Sequence, residues 1–267
     1  MITIYPSGKD FIEENASFLD ENPYMSALFY LDAPLLPSST KTNYAIKAQQ
    51  NDKRLLAMKV EPYNLMLHGD EGCLGELLSF LKENDYVFEG VMCSTKIGEA
   101  LIALSPAFAG KPYYRQIGMD FMEADEVTEG SSLDVEEATI DDIDEIYECS
   151  IHFLEDCHLS DKANREKIAR NIASYRIIRV DGRIVSFANS SPDTEKSRRI
   201  SWVYTRPEYR GQGYAREVVN FVKNEILASG RLATLNVDID NPISNHLYSS
   251  LGFKKVFSQG IYLVKAG

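Results

Sequence analysis

The second half of the chain alternates between segments with strand-like and helix-like hydrophobic patterns. Seven segments either alternate apolar and polar residues or form short apolar runs, which predicts strands: residues 133–138, 175–180, 183–189, 200–205, 231–237, 253–257 and 260–264. Asp181-Gly182 between two of them is a two-residue hairpin signal, and a polar turn is predicted over 190–197. Apolar residues spaced three and four apart predict helices in between: one from the capping pair Thr139 and Asp142 to Leu154, one over 162–172, one from Ala215 to Gly230, and a short one after Asn241.

The first half has a similar order of predicted strands and helices, without a repeated sequence motif. Strands are predicted at 44–49, 54–60, 64–67 and 87–92, and helices at 74–83 and 96–104. The polar stretch 124–132 predicts a linker, which divides the chain into domains at 1–125 and 133–267.

Composition narrows the class of protein. The 267 residues carry 40 acidic and 28 basic side chains, a net charge of −12, which argues against nucleic-acid binding. No run of eighteen apolar residues and no signal-peptide pattern occurs, so we expect a cytoplasmic protein that does not span a membrane. The four cysteines (73, 93, 149 and 157) form no Cys-x-x-Cys pair and are expected to be buried thiols, and neither they nor the four histidines have metal-ligand spacing.

The most informative segment is 203–215, where a strand enters a Pro turn, a glycine-spaced loop and then a helix. Gly211 and Gly213 would let backbone N–H groups approach a ligand, and the helix N-terminus adds unpaired donors and partial positive charge. The segment therefore predicts a phosphate or pyrophosphate site. It is not a dinucleotide fingerprint, because Arg216 occupies the third small position, and it lacks the Gly-Lys-Ser/Thr of a P-loop.

A second informative segment follows at 238–253. Asn241 is placed to cap a short helix, Pro242 suits its first position, and Gly252 suits the residue after its last turn. Tyr248 then projects from a fixed face of that helix.

These two segments together resemble the GNAT superfamily of N-acetyltransferases. Arg210, Gly213 and Ala215 match its cofactor loop, and Asn241, Tyr248 and Gly252-Phe253 match its later Asn-to-Tyr-to-Gly-Phe segment. The resemblance covers about 135 residues, from Leu133 to the end. It implies an α/β (α+β) fold, with a mixed, mostly antiparallel sheet flanked by helices.

The shared rhythm of the two halves suggests two GNAT-like domains. In the first half the position of the phosphate loop is taken by His68-Gly69-Asp70-Glu71-Gly72, whose two carboxylates would repel a pyrophosphate. The first domain is therefore interpreted as a degenerate copy without a cofactor; an unrelated α/β cap is the alternative.

The resemblance also implies acetyl-CoA as cosubstrate, with no metal, and an amine on a small molecule or peptide as acceptor. The implied cofactor-binding residues lie on the strand, the loop, the first helical turn and the second segment: Val203, Tyr204, Thr205, Arg210, Gly211, Gln212, Gly213, Tyr214, Ala215, Arg216 and Asn241. Val203 and Tyr204 are also ordinary strand positions, and Asn241 is equally a helix cap.

Two residues are candidates for the chemistry of acyl transfer. Tyr248 matches the family's general acid toward the departing thiolate, although many tyrosines serve only in packing. Asp238, at the end of a strand, is the leading base, and it could equally accept hydrogen bonds from turn N–H groups. Glu155 and Asp156 are alternative bases.

Other functions remain open at the level of sequence. The chain could be a GNAT-like sensor or scaffold that binds acetyl-CoA without turnover, or it could use another acyl donor or a glycine-type acceptor. Tandem GNAT-like folds that use aminoacyl-tRNA fit an acidic chain poorly. The sequence indicates neither the acceptor nor the oligomeric state.

Overall fold

The computed structural model of the chain describes residues 1–109, 112–130, 132–157 and 162–265, with the side chains at 23–25 and 107–109 left aside. Its strands and helices divide into two series by chain order. The first series is β1 (Ile2–Tyr5), α1 (Gly8–Leu19), α2 (Pro23–Asp32), β2 (Tyr44–Gln50), β3 (Lys53–Lys59), β4 (Leu65–Gly69), α3 (Leu74–Glu83), β5 (Gly90–Ser94), α4 (Thr95–Ala109) and β6 (Tyr113–Ala124). The second is β7 (Glu136–Glu137), α5 (Ile143–Asp156), α6 (Arg165–Arg170), β8 (Tyr175–Val180), β9 (Arg183–Thr194), β10 (Ser197–Thr205), α7 (Tyr214–Ala228), β11 (Leu232–Asp238), α8 (Pro242–Ser250) and β12 (Lys254–Val264).

The two series have the same order of elements: strand, two helices, three strands, helix, strand, helix, strand. In each, the fourth and fifth strands are parallel, β4 with β5 and β10 with β11, whereas the neighbouring pairs are antiparallel. The fold class is therefore the predicted one, a mixed α/β fold in two GNAT-like copies. The two halves therefore repeat the same order of strands and helices without repeating the same sequence.

Two compact units follow from the contacts within the chain: Met1–Met119 with Phe257–Gly267, and Asp120–Val256. Strands β6 and β12 each contribute residues to both units. This division differs from the predicted boundary at 124–132 because the end of the chain belongs with the first unit.

The first unit has its strands in the order β1-β2-β3-β4-β5-β12-β6. Strand β3 shows why both faces of this sheet are covered, since its consecutive residues enter different cores. Leu55 and Ala57 belong to the core that includes residues of α3 and α4, and Leu56 and Met58 to the core that includes residues of α1 and α2. Side chains of successive strand residues point to opposite faces, so an unbroken apolar run indicates a strand buried on both sides.

The second unit has the strand order β6-β11-β10-β9-β8-β7. Its cores also lie on two faces. One includes the apolar stripe of α7 (Val218, Val219, Val222 and Ile226) and Tyr248 of α8. The other packs Ile143, Ile146 and Cys149 of α5 against β8 and β9. The predicted stripe of α7 is confirmed, and the helix ends before Gly230, whose φ is +76°.

Three predictions about individual elements are wrong. The turn predicted over 190–197 is confined to residues 195–196, because β9 runs to Thr194 and pairs with β10. The two strands predicted over 253–257 and 260–264 are the single strand β12. Gly260 lies inside that strand, where a side chain would come within 2.8 Å of the Ile117 carbonyl oxygen. The helix predicted over 162–172 is the shorter α6, and residues 158–161 lie outside the described part.

The segment predicted as a linker is held along α7. Thr128 N–H donates to Asn224 Oδ1 (3.3 Å), and Asn224 Nδ2 donates back to the Thr128 carbonyl oxygen (3.0 Å). Ser132 N–H donates to Glu217 Oε2 (2.7 Å). These bonds join residues more than eighty positions apart. Despite its polar composition, the segment is therefore fixed to α7 through Thr128 and Ser132, and we call it the strap.

We predict that Tyr262 of β12 is a stability determinant of the first unit. It is 1% exposed and belongs to the same core as α3 and α4, and its ring fills the space beside Gly98 of α4. Tyr262→Ala should lower the free energy of unfolding by about 3–5 kcal/mol, as truncation of a buried aromatic does. Tyr262→Phe, which keeps the ring, is the control. Denaturant unfolding measures the effect, and a loss below about 1 kcal/mol would contradict the assignment of β12 to this core.

Candidate functional site

The parallel strands β10 and β11 stop pairing before either strand ends. Their ladder runs from Ser197 opposite Leu232 to Ile200 opposite Leu235, yet β10 continues to Thr205 and β11 to Asp238. The register of β10 against β9 also shifts between Ser201 and Tyr204. Trp202, at this irregularity, has a φ of +53°, which a non-glycine residue rarely adopts. The two strands therefore separate, and main-chain groups of 201–205 are released from the ladder with β11.

The predicted residues of this strand segment divide by face. Val203 packs against the core that includes α7, whereas Tyr204 is buried in the core with α5. Thr205 bonds toward β9, where its hydroxyl lies 2.9 Å from Ser186 Oγ. Side chains are thus used for packing on both faces, which leaves the main chain at the open edge as the part able to contact a ligand.

The loop after β10 has the geometry of an anion site. Gly211 and Gly213 have φ values of +74° and +90°, and a Cβ at either would meet nothing within 4 Å. Helix α7 begins at Tyr214 with Gly213 as its N-cap, and no side chain caps it. Its first hydrogen bond joins Glu217 N–H to the Gly213 carbonyl oxygen (3.1 Å), so the preceding N–H groups of the first turn are available. Gln212 turns back to the Glu208 carbonyl oxygen (3.3 Å).

The side chain of Arg210 bonds the loop to the end of β10 and to α5. Its Nη2 lies 2.5 Å from Asp156 Oδ2, and its Nε donates to the Thr205 carbonyl oxygen (3.0 Å). Its guanidinium also lies 5.9 Å from the centre of the Tyr204 ring. Arg210 thereby joins the end of β10 to the last residue of α5. Asp156, one of the alternative bases, is engaged in this ion pair.

Arg216 supplies a cation next to the open helix end. It lies exposed in the first turn of α7, where its Nη1 donates to Ser250 Oγ of α8 (2.7 Å). The described residues place no carboxylate against it, in contrast to Arg210. Its charge therefore adds to the partial positive charge of the uncapped N-terminus.

Residues at the start of α8 form a hydrogen-bond network around Asn241. Asn241 Oδ1 accepts from Ser244 N–H (3.0 Å), which is a helix cap as predicted. Asp238 Oδ1 accepts from Asp240 N–H (2.9 Å), and its carbonyl oxygen accepts from Asn245 Nδ2 (2.8 Å). One carboxylate oxygen of Asp238 thus has the structural role considered above. The second oxygen of Asp238 and the amide nitrogen of Asn241 have no hydrogen-bond partner within the described ranges.

Tyr248 lies on α8 among apolar side chains. It is 7% exposed, and its ring meets Phe253 edge-on at 6.1 Å between centres. Burial raises the pKa of Tyr248 to about 12, with a smaller contribution from the Cys157 thiol. The phenol is therefore protonated at neutral pH, as a proton donor requires.

Cys157, at the end of α5, corrects one expectation and adds a residue to the site. The sequence predicts four buried cysteines; Cys73, Cys93 and Cys149 are buried, but Cys157 is exposed. Although the residue is exposed, its thiol is partly desolvated, which raises its pKa, and the charges of Asp156 and Asp238 raise the pKa further. Cys157 thus shares one neighbourhood with Tyr248 and Asp238. No sequence signal marked it, because its partners come from other elements.

Lys223 is a second residue that sequence reasoning missed. It is fully buried, and its Nζ donates to Thr128 Oγ1 and to the Leu251 carbonyl oxygen, both at 2.8 Å. It therefore ties α7 to the end of α8 and to the strap. Burial lowers the pKa of Lys223, with a further effect from Arg216. Lys223 fixes the helix that carries the loop against the helix that carries Tyr248.

The corresponding junction in the first unit differs in chemistry. Asp70 Oδ1 accepts from Gly72 N–H (2.8 Å) and so fills the position where an anion would sit. Lys53 lies 3.5 Å from Asp70, and Lys96 lies 2.7 Å from Glu71. A Cβ on Gly69 would collide with the Arg54 carbonyl oxygen. This junction is closed by its own side chains.

Comparison with known proteins agrees with this geometry. Residues 140–253 match the family model of the Acetyltransferase (GNAT) family, so this segment is a GNAT domain and the resemblance seen in the sequence is confirmed. No curated protein matches the sequence.

Solved structures share the fold. A GNAT-family acetyltransferase from Colwellia psychrerythraea is 11% identical, with 100% of each chain covered and a TM-score of 0.62. A GCN5-related N-acetyltransferase from Sphaerobacter thermophilus is 14% identical, with 83% of this chain and 80% of that chain covered and a TM-score of 0.54. At such identities the likeness concerns the fold, and the GNAT fold supports acyl transfer in general.

Two further observations concern membranes and metals. Within the described ranges, no helix is long and apolar enough to cross a membrane. The same ranges contain no cluster of three His, Cys, Asp or Glu side chains arranged to hold a metal ion.

We predict that Lys223→Met destabilises the second unit by about 1–3 kcal/mol, because the Leu251 carbonyl oxygen and the Thr128 hydroxyl lose their buried partner. The loss should shrink as pH falls. Burial lowers the pKa of Lys223 in the folded state below its ordinary value of 10.5, so between these two pKa values the unfolded state binds more protons. Wild-type stability therefore declines as the pH falls from above 10.5 to the folded-state pKa and is constant below it. Denaturant unfolding at several pH values, with exposed Lys254→Met as control, measures this. Equal stability of Lys223→Met and wild type would contradict it.

Proposed function

We propose that the chain is an N-acetyltransferase that transfers acetyl from acetyl-CoA to an amine by direct attack, with a single site in the second unit. The observation that carries this proposal is the junction of β10, the loop and α7. There a released strand edge adjoins an uncapped helix N-terminus, and Arg216, which has no carboxylate partner among the described residues, lies in the first turn. An elongated ligand with an amide-containing arm and a pyrophosphate is complementary to both features.

The chain's residues fit acetyl-CoA at this junction. The N–H groups of 211–216 would hold the pyrophosphate, and the main chain of 203–205 would hold the amide arm. Open space beside Gly211 and Gly213 permits the approach, and the free amide nitrogen of Asn241 can donate to the same ligand. When bound, acetyl-CoA supplies the acyl group as an activated thioester.

In the transfer, Tyr248 would donate a proton and Asp238 would accept one. The amine nitrogen forms a bond to the acyl carbon while the carbon–sulfur bond breaks. Tyr248 donates its proton to the departing sulfur, and burial keeps that proton on the phenol at neutral pH. Asp238 takes the amine proton through its free carboxylate oxygen, directly or through water.

We favour Asp238 as the base because the two alternative bases, Asp156 and Glu155, each have a side-chain partner. Asp156 is held by Arg210 at 2.5 Å, and Glu155 lies 3.4 Å from His152 Nδ1 on the same helix. Asp238 has no ion-pair partner within the described residues and shares the neighbourhood of Cys157. The acceptor is proposed only as an amine on a small molecule or peptide.

We expect Tyr248→Phe to lower kcat by about 10²–10⁴-fold with little change in the Kd for CoA, because the phenol acts on the departing sulfur. Thiol release from acetyl-CoA with an amine panel measures kcat, and calorimetry measures Kd. Tyr175→Phe is a matched control, since burial also raises the pKa of that core tyrosine to about 12. Unchanged turnover in Tyr248→Phe would remove Tyr248 from the mechanism. Binding of CoA without turnover across a broad panel would favour a sensor.

We also expect Arg216→Ala to weaken CoA binding about tenfold, and the difference from wild type to shrink at high salt. The matched control is Arg231→Ala, which removes an exposed arginine just beyond the other end of the same helix. Calorimetric titration at two salt concentrations separates the two variants. Equal affinity of Arg216→Ala and Arg231→Ala would contradict the placement of the pyrophosphate.

A further inference from the structure

A cavity of about 270 Å³ lies in the first unit, where β4 and β5 begin. Its lining comes from the end of β3, from the turn before β4 and from the segment before β5. The junction that corresponds to the acetyl-CoA loop, at 69–72, follows the other end of β4. The cavity is therefore not the degenerate counterpart of that site.

A lysine whose ammonium has no partner among the described residues lines this cavity. Lys59 is the last residue of β3 and is only 7% exposed. Among the described residues it has no hydrogen bond and no ion pair, in contrast to Lys47, which is similarly buried but bonded to Glu14. The aliphatic part of Lys59 is enclosed, whereas its ammonium is not among the fully buried polar atoms and so remains accessible from the cavity that it lines. The geometry around Lys59 therefore suits an anionic group of a ligand.

Two carboxylates stand at the edge of the same cavity. Glu61 and Glu89 both line it, both are exposed, and neither has an ion-pair partner within the described part of the chain. Neither reaches Lys59 to form a salt bridge, although all three line one cavity. A ligand that carried only negative charge would meet repulsion at this edge, whereas a ligand with one charge of each sign would satisfy both ends.

Apolar and polar side chains complete the lining. Phe88 and Tyr63 contribute aromatic surface. Asn64 lies against Gly90, where a Cβ would come within 2.3 Å of Asn64 Oδ1. Gly90 is thus required for Asn64 to occupy its place in the lining. The volume is slightly below the range of about 300–1,000 Å³ that is typical of sites for drug-sized ligands, which favours a small metabolite.

We propose that this cavity binds a small zwitterion of the amino-acid type. Its carboxylate contacts Lys59 Nζ, its ammonium lies at the edge formed by Glu61 and Glu89, and its side chain contacts Phe88 and Tyr63. The proposal does not depend on acyl transfer, because every lining residue belongs to the first unit and the acetyl-CoA junction belongs to the second.

Calorimetry with the full chain, in the absence of CoA, tests the proposal with a panel of free L-amino acids. Each amino acid that binds is compared with its N-acetyl derivative, which lacks the ammonium, and with its decarboxylated amine, which lacks the carboxylate. We expect at least one amino acid to bind and both derivatives to bind about tenfold more weakly or worse. Absence of binding by the whole panel at millimolar concentration, or equal binding by either derivative, would overturn the proposal.

Variants locate the binding. Lys59→Met should weaken the best amino acid about tenfold or more, whereas Lys9→Met, at an exposed lysine of the same unit, should not. The double variant Glu61→Gln with Glu89→Gln provides an independent measure, because both carboxylates are exposed and the core is untouched. Thermal unfolding shows whether Lys59→Met is folded; if it is not, the double variant decides. Wild-type affinity in the double variant, or in folded Lys59→Met, would refute the assignment of the ligand to this cavity.

Discussion

The candidate site depends on one interruption of backbone pairing, the separation of β10 from β11 after Ile200 and Leu235. Parallel strands normally satisfy each other's main-chain groups to their ends, and unpaired groups must find another partner. Here the interruption leaves a strand edge free beside the point where the chain turns into α7. The shift in register around Trp202 and the buried core on both faces hold the strands in this arrangement. The other features of the site are side-chain bonds that hold the neighbouring loop and helices in place beside the separated strands.

Those supports act through a few buried or ion-paired side chains. Arg206, which follows the last residue of β10, is 4% exposed. It bonds to Glu145 of α5 (2.9 Å) and to the Ile184 carbonyl oxygen of β9 (2.7 Å). Arg210 repeats this connection one turn later through Asp156. On the opposite side, Lys223 fixes α7 to the end of α8. The loop is therefore held from both sides, which leaves its N–H groups preorganised for a ligand.

The two copies of the fold show how the same architecture can carry different chemistry. Both contain a parallel pair that leads into a helix, but in the first unit Asp70 and Glu71 occupy the junction and are neutralised by Lys53 and Lys96. An anion there would compete with carboxylates that are already bonded. Conversely, Lys59, Glu61 and Glu89, which have no ion-pair partner among the described residues, line a cavity at the opposite end of β4. Each unit thus has its own candidate ligand site, at different ends of the parallel pair.

Much of the second unit could be predicted from the sequence because its signals are local. Glycines at positive φ, the cap at Asn241 and the stripe of α7 are all encoded within a few residues. The strand β6, the length of β12, the bonds that Thr128 and Ser132 make to α7, and the exposure of Cys157 could not be predicted. They depend on partners far along the chain, such as Ile117 beside Gly260 and Asn224 beside Thr128. The ion pair between Asp156 and Arg210 could not be predicted for the same reason, and it engages one of the two alternative bases.

The most direct test of the account is the stoichiometry of CoA binding to the full chain, measured by calorimetry. One open junction and one closed junction predict a single site per chain, lost when Gly213 is replaced by Val, because a β-branched residue cannot readily adopt its φ of +90°. Two sites per chain, or one site that persists in Gly213→Val, would contradict the claim that the junction of β10 and α7 holds the cofactor.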